Sequence, residues 1–184
     1  QLETLDRGVV AIRSGTGNLV SWRLLGLEYK TNIGFNVYRN GTKITANPII
    51  TKTNYYDAGA ATTAQYSIRA VVNGVEQPAS KTATVINAKY LRIPLSVPAG
   101  GTTPDAVAYT YSPNDCSIGD IDGDGEYEII VKWDPSNSKD NSQSGYTGNV
   151  FLDAYKLNGT FLWRIDLGRN IRAGAHYTQF LVYD

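Results

Sequence analysis

Asn-Gly dipeptides divide the first half of this 184-residue chain into short runs of β-branched and aromatic residues. Asn40-Gly41 and Asn73-Gly74 each lie between two such runs, and this dipeptide is the strongest short-range signal for a β-hairpin. Gly, Asn and Thr interrupt every candidate helical stripe in this half. The predicted strands lie within LVSWRLLG (19–26), FNVYRNGTKI (35–44), NYYDAG (54–59) and QYSIRAVVNGVEQ (65–77). Short strands closed by turns at this spacing predict an all-β sandwich.

A change of composition separates this half from the rest of the chain. The segment PLSVPAGGTTPDA (94–106) is rich in Pro and Gly, which is typical of a linker or a long connection. We place the boundary near residues 88–94 and predict two domains, 1–90 and 91–184. The later segments EIIVKW (128–133), VFLDAYKL (150–157) and FLWRIDL (161–167) predict strands, the last two joined by Asn158-Gly159. A strand, hairpin, strand succession of this kind is typical of a propeller blade.

Five carboxylates lie within nine residues, 120–128, where a loop leads into the first of these later strands. Like charges this close repel one another, so the cluster predicts a bound cation, and Ca²⁺ prefers 6–8 oxygen ligands. The predicted ligands are Asp120, Asp122 and Asp124 at positions 1, 3 and 5, Glu126 at position 7 through its backbone carbonyl, and Glu128 at position 9. Glycines at 123 and 125 permit the positive φ that such wrapping needs.

The spacing of the acidic residues matches the start of an EF-hand loop but not its end. Position 12 is Val131, inside an apolar run, where an EF-hand carries a bidentate Glu. The sequence therefore predicts a shortened calcium loop that leads into a strand. A solvated acidic turn without an ion is the alternative.

The charge balance and the single cysteine exclude several classes of protein. Lys and Arg number 17 and so do Asp and Glu, which argues against a nucleic-acid partner or an anionic membrane surface. The sequence contains no run of 18 apolar residues, so it predicts no transmembrane helix. One cysteine excludes an intrachain disulfide, and we expect Cys116 to be a small buried core residue. No signal peptide is visible, and Gln1 is consistent with the start of a processed chain.

Two stretches carry a resemblance to a known domain type. Trp22 followed by FNVYRNG and YSIRAVVNG resembles a fibronectin type III-like sandwich. The resemblance implies that Trp22 packs in the core from the second strand. It also implies that Tyr66 anchors a corner near the sixth strand, so we expect both side chains to be buried.

A second resemblance covers the whole chain. TYSPNDCSIGDIDGDGEYEIIVKW and the following sequence through AGAHYTQF resemble the first propeller portion of polysaccharide lyase family 11, the bacterial rhamnogalacturonan lyases. The opening ETLDRGVVAI (3–12) is similar to their amino-terminal domain. The resemblance implies a β-sandwich fused to an eight-bladed, calcium-binding β-propeller. It implies a secreted enzyme, expected to be monomeric, that cleaves the pectic polysaccharide rhamnogalacturonan I by calcium-assisted β-elimination.

The resemblance assigns two substrate-binding residues and no catalytic base. Asn114 in YSPNDCS and Asp134 in KWDPSN match positions that line the family's cleft. An amide and a carboxylate together offer donors and acceptors to vicinal sugar hydroxyls. A Pro-Asn turn and an Asp-Pro turn are the alternatives for these residues. Because only one to two blades' worth of propeller sequence is present, we expect a longer polypeptide whose base and catalytic calcium ligands lie beyond residue 184.

Other polar and aromatic residues are less informative. Trp133 and Trp163 lie in apolar strands, so core packing is favoured over stacking on sugar. His176, the only histidine, is favoured as a structural residue over a base or a metal neighbour.

The basic residues leave their alternatives open. Arg169 and Arg172 suit either a uronate carboxylate or a bridge between blades. Lys132 and Lys139 are possible bases by chemistry alone, and no spacing favours either.

Two non-enzymatic functions compete with the lyase hypothesis. Sandwiches and short calcium loops also occur in binding or adhesion modules and in structural spacers. A binding module predicts retention on pectin without a new unsaturated product. A spacer predicts neither retention nor product.

Overall fold

The computed structural model describes residues 5–29, 32–174 and 176–183. The chain forms two compact units, Leu5–Arg92 and a second one that begins at Ile93. Within the described ranges the only helix is one turn of 3-10 helix, Gly26–Glu28, and every other regular element is a strand. No helix there is long and apolar enough to span a membrane. The prediction of an all-β chain is confirmed.

The first unit is built from one eight-stranded sheet that curls around its own core. Its strands are β1 (Val10–Ser14), β2 (Gly17–Ser21), β3 (Ile33–Arg39), β4 (Thr42–Lys43), β5 (Asn54–Asp57), β6 (Gln65–Val72), β7 (Val75–Ala79) and β8 (Ala83–Ile86). The order is β4-β3-β6-β8-β1-β2-β5, and β7 pairs with β6. β8 joins the two halves, because it pairs antiparallel with β6 and parallel with β1.

The core of the first unit follows from period-two alternation along its strands. Tyr66, Ile68 and Ala70 of β6 are buried, and residues between them are less so. Trp22 is buried and meets Phe35 edge to face, with ring centroids 5.5 Å apart. The prediction that Trp22 and Tyr66 are core residues is confirmed.

Both Asn-Gly dipeptides form the predicted hairpin turns. Asn40 and Gly41 have φ of 50° and 79°, and Asn73 and Gly74 have φ of 50° and 83°. Positive φ at both central residues is the type I′ geometry that Asn-Gly favours. These turns connect β3 to β4 and β6 to β7.

The second unit contains a short hairpin and a four-stranded antiparallel meander. Its strands are β9 (Gly101–Thr102), β10 (Ala108–Tyr109), β11 (Tyr111–Gly119), β12 (Glu128–Pro135), β13 (Phe151–Tyr155) and β14 (Phe161–Asp166). The meander order is β11-β12-β13-β14, a four-stranded form that is typical of a propeller blade, and the propeller itself stays a prediction. β11 was not predicted, because its register with β12 breaks between Pro113 and Cys116 and no period-two pattern survives there.

One face of the meander carries the core of the second unit. Val131, Trp133 and Tyr155 are buried there, with Trp133 fully enclosed as expected. The Pro- and Gly-rich segment is not a free linker, since the backbone N–H of Ser96 donates to the hydroxyl of Tyr155 at 3.2 Å. Leu95 also packs on this core.

Three burial predictions are wrong. Trp163 is 36% exposed, because β14 is an edge strand that, among the described strands, pairs with β13 alone. Cys116 is exposed on the opposite edge strand, β11, where no described strand pairs with its outer side. His176 is not an enclosed structural residue either: its side chain is 84% exposed, and its Nε2 lies 4.0 Å from Asp140.

Candidate functional site

The acidic loop connects β11 to β12, so the hairpin itself brings the carboxylates together. Carboxylate oxygens of Asp120, Asp122 and Asp124 all lie within 4.8 Å of one another. Two oxygens that bind the same Ca²⁺ at 2.3–2.6 Å are at most about 5 Å apart. The spacing therefore suits a single hard cation held by three carboxylates. This supports a metal site at the loop, and the identity of the metal stays a prediction.

The loop backbone holds these carboxylates in place. The N–H of Gly125 donates to Asp120 at 2.9 Å, and the N–H of Glu126 donates to Asp124 at 2.9 Å. Gly123 and Gly125 have φ of 76° and 87°, in the left-handed region that favours glycine. The two glycines thus permit the wrapped path that was predicted.

The two glutamates predicted as ligands differ from the three aspartates. Glu128 is buried, and its Oε2 accepts the N–H of Ile121 at 3.0 Å. Burial raises the pKa of Glu128, and the negative charge of Asp122 nearby adds to the rise. The side chain of Glu126 is exposed. Neither belongs to the three-carboxylate group, so their roles as ligands stay predictions.

Lys156 contacts the acidic loop, and the sequence analysis did not predict this contact. Its Nζ lies 2.5 Å from Asp122 Oδ2 and 2.9 Å from Asp124 Oδ2. Hydrogen bonds to these two carboxylates raise the pKa of Lys156. Tyr155 pairs with Ile129 in the sheet, which brings Lys156 to the base of the loop. Only strand register reveals this proximity, because Lys156 is far from the loop in sequence.

The two predicted sugar contacts lie on neighbouring strands. Asp134 on β12 pairs with Ser112, and Asn114 follows two residues later in the irregular part of β11. Asn114 is exposed, and its Oδ1 accepts the N–H of Asp115 at 2.8 Å. The structure thus places an exposed amide and a half-buried carboxylate on adjacent strands, and their contact with sugar stays a prediction.

Asp134 has one buried carboxylate oxygen, Oδ1, that no described residue contacts through a hydrogen bond. Burial raises the pKa of Asp134, whereas the positive charge of Lys132 and the hydroxyl of Ser138 lower it. An unpaired buried acceptor is costly, so this oxygen calls for a donor from outside the described residues.

The lysines and arginines considered as bases or uronate-binding residues differ in burial and in contacts. Lys132 is buried and donates to Asp115 Oδ2 at 3.0 Å, whereas Lys139 is only half-buried. Arg172 donates to the backbone carbonyl of Asp140 at 2.9 Å, so its guanidinium is engaged within the unit. Arg169 is exposed and lines a cavity of about 590 Å³.

Two family models match the chain. The model described as rhamnogalacturonan lyase family 11, C-terminal domain, matches residues 90–184. The model described as rhamnogalacturonan I lyases beta-sheet domain matches residues 1–86.

Similar proteins match over the whole chain. The rhamnogalacturonan endolyase YesW of Bacillus subtilis (strain 168) is 61% identical over 184 residues, which cover 100% of this chain and 29% of YesW. The exolyase YesX of the same strain is 57% identical, with 100% of this chain and 30% of YesX covered. The chain therefore spans less than a third of the length of these relatives.

Solved structures agree with the sequence matches. The crystal structure of YesW superposes with a TM-score of 0.95 at 61% identity, over 100% of this chain and 31% of that one. A rhamnogalacturonan lyase of Bacillus licheniformis superposes with a TM-score of 0.94 at 64% identity, over 100% and 31% of the two chains. The chain belongs to rhamnogalacturonan lyase family 11.

Proposed function

We propose that this chain is part of an enzyme that cleaves the rhamnose–galacturonate backbone of rhamnogalacturonan I. The observation that carries the proposal is 61% identity over all 184 residues to a protein named as a rhamnogalacturonan endolyase. An exolyase is 57% identical over the same residues, so the proposal covers the lyase reaction and not its endo or exo mode. Secretion from a bacterial cell is part of the proposal, because the substrate is a polymer too large to enter a cell intact.

The proposed reaction is a β-elimination. A base removes the proton at C5 of the galacturonate, the C4–C5 double bond forms, and the C4–O4 bond breaks as the O4-linked sugar departs. A divalent cation on the uronate carboxylate would stabilise the charge that develops in the transition state. Within this chain, the amide of Asn114 and the carboxylate of Asp134 would hold and orient the sugar through its hydroxyls.

The acidic loop has a structural role in this proposal. Asp134 and Glu128 are six residues apart on β12, and a strand rises about 3.3 Å per residue. An ion at the loop therefore lies roughly 20 Å from the proposed sugar contact along the strand. Calcium at the loop would fix the β11–β12 hairpin, and we propose that the hairpin belongs to the first blade of a β-propeller.

The reaction gives a conjugated, unsaturated uronate that absorbs in the ultraviolet, and this product is the readout of the test. Rhamnogalacturonan I would be incubated with the full natural polypeptide that carries this chain, with and without a calcium chelator. A calcium-dependent rise in absorbance is expected. Retention of the polysaccharide without a rise would support a binding module instead, and neither result would support a spacer.

The sugar contacts are tested by two variants and a control. Asn114→Ala and Asp134→Asn are expected to weaken oligosaccharide binding by about tenfold each, because each removes hydrogen bonds to sugar. Asn47→Ala is a matched control, since Asn47 is exposed in the first unit. Unchanged affinity in both test variants would contradict the assignment of these residues.

A further inference from the structure

Lys132 is a buried ammonium in the second unit that the proposed reaction does not use. It is 2% exposed, although lysine is seldom fully buried unless it is paired. Its neighbours on β12, Val131 and Trp133, point into the core on the other face of the sheet. Lys132 therefore lies on the same face as Asp134, two residues further along the strand.

Two groups anchor the ammonium from other parts of the unit. Asp115 on β11 accepts a hydrogen bond at 3.0 Å, and the backbone carbonyl of Tyr177 accepts one at 3.4 Å. The side chain of Asp115 is 58% exposed, whereas that of Lys132 is 3% exposed. The buried ammonium is thus held in place by hydrogen bonds to the exposed Asp115 and to the backbone of Tyr177.

The ammonium of Lys132 also acts on Asp134, which lies on the same face of β12. Burial raises the pKa of Asp134, and the ammonium of Lys132 opposes that rise. Ser138 also lowers the pKa, and the charge of Asp115 raises it. The buried Oδ1 of Asp134 has no donor among the described residues. The positive charge of Lys132 therefore favours the ionised form of Asp134, the form that accepts hydrogen bonds most strongly.

We propose that Lys132 is a positioning residue that holds Asp134 as an ionised acceptor for a sugar hydroxyl, while Asp115 and the Tyr177 carbonyl hold Lys132. The inference rests on the proposed role of Asp134 in sugar binding. Lys132 itself does not contact the sugar in this proposal.

The first experiment follows the titration of the Asp134 carboxyl by carbon-detected NMR in the protein and in Lys132→Met. Methionine retains the length of the side chain, and the exposed Asp115 can be solvated once it loses its partner, so we expect the variant to fold. The titration midpoint of Asp134 should rise in Lys132→Met and stay near its original value in Lys132→Arg. Lys52→Met, at an exposed lysine of the first unit, should leave it unchanged.

A second variant removes the same charge with a smaller change in polarity. Lys132→Gln keeps a hydrogen-bond donor at position 132 but not the ammonium charge, so the titration midpoint of Asp134 should rise as it does in Lys132→Met. This variant tests the inference even if Lys132→Met does not fold. A midpoint that moves in neither variant would overturn the inference.

The second experiment measures binding of a rhamnogalacturonan oligosaccharide as a function of pH. Lys132→Met should bind about tenfold more weakly at mildly acidic pH, because a protonated Asp134 accepts a weaker hydrogen bond. Its affinity should recover as the pH rises, and Lys132→Arg should restore binding. Failure of the unaltered protein to bind would overturn both the proposed function and this inference. Normal binding with an unmoved Asp134 titration would overturn this inference alone.

Discussion

Each unit buries one aspartate against a tyrosine and an arginine, and the two arrangements differ in depth. In the first unit, Asp57 accepts the hydroxyl of Tyr66 at 2.8 Å and pairs with Arg39 at 3.0 Å. In the second unit, Asp153 accepts the hydroxyl of Tyr155 at 2.9 Å, and Arg164 donates two bonds of 2.7 Å.

The second unit also contains carboxylates that lack the set of tyrosine and arginine hydrogen bonds that Asp153 accepts. Asp153 is completely paired within the unit, yet Asp134 on the adjacent strand keeps a buried oxygen without a described donor. The aspartates of the acidic loop lie together at the end of the same hairpin. A satisfied buried carboxylate therefore indicates stability, and an unsatisfied or clustered one indicates a ligand.

Replacing each of these two aspartates in turn tests how much their difference in burial contributes to stability, and Asp153→Asn should cost more than any other substitution proposed here. Asp153→Asn should lower the free energy of unfolding of the second unit by about 3–5 kcal/mol, because an amide N–H₂ would face buried donors. Asp57→Asn should lower that of the first unit by only about 1–3 kcal/mol, since the side chain of Asp57 is 9% exposed and that of Asp153 is 0% exposed. Urea unfolding followed by resolved amide signals measures both, and equal losses would contradict the comparison.

Calcium should stabilise the second unit against unfolding but not the first. At a free concentration about 100-fold above its dissociation constant, Ca²⁺ should stabilise the second unit by about 2.7 kcal/mol and leave the first unchanged. Asp122→Asn should remove most of this gain, because it weakens one of three ligands. Asp105→Asn, at an exposed aspartate of the second unit outside the loop, is the control. Calorimetry with and without chelator is the measurement, and a gain that survives Asp122→Asn would exclude the loop as the site.

Removing an ion pair of the first unit should have a smaller effect on the free energy of unfolding. Arg7 contacts Glu28 through bonds of 2.6 and 2.7 Å, and both side chains are less than 20% exposed. The hydrogen bond from Arg7 lowers the pKa of Glu28 below its ordinary value of 4.5.

Glu28→Gln should therefore lower the free energy of unfolding by about 1–2 kcal/mol at neutral pH. Because the folded-state pKa is depressed, the contribution is present above pH 4.5 and disappears as the pH falls through the folded-state value. Stability curves of the two proteins should converge in acid. A difference that persists there would show that the pair acts through packing and not through charge.

The smallest expected effect compares two tryptophans of the second unit. Trp163→Phe should change the free energy of unfolding by less than about 0.5 kcal/mol, because Trp163 lies on an exposed edge strand. Trp133→Phe should cost more, since Trp133 is fully buried and its Nε1 donates to Asp153 at 2.7 Å. Chemical denaturation checks both values, and a large loss from Trp163→Phe would indicate that another surface covers β14.

Local signals predicted the turns and most strands because they depend on neighbours in sequence. Asn40-Gly41 and Asn73-Gly74 specify hairpins through positive φ alone, and the acidic residues specify a loop through their spacing. β11 was missed, because its pairing with β12 is interrupted and its proline breaks the alternation of a strand. Trp163 and Cys116 were misplaced for a related reason, since an apolar residue in a strand does not reveal whether that strand lies at an edge.

Residue type at fixed spacing was enough to predict the all-β class, the hairpin turns, the acidic loop and the family resemblance. Three features could be known only from the folded chain: Lys156 reaches the loop, Lys132 is anchored by Asp115, and Asp134 keeps a buried oxygen without a donor among the described residues. These contacts join residues that are distant in sequence or lie on different strands. Sheet register and burial create them, and neither is encoded in a local pattern.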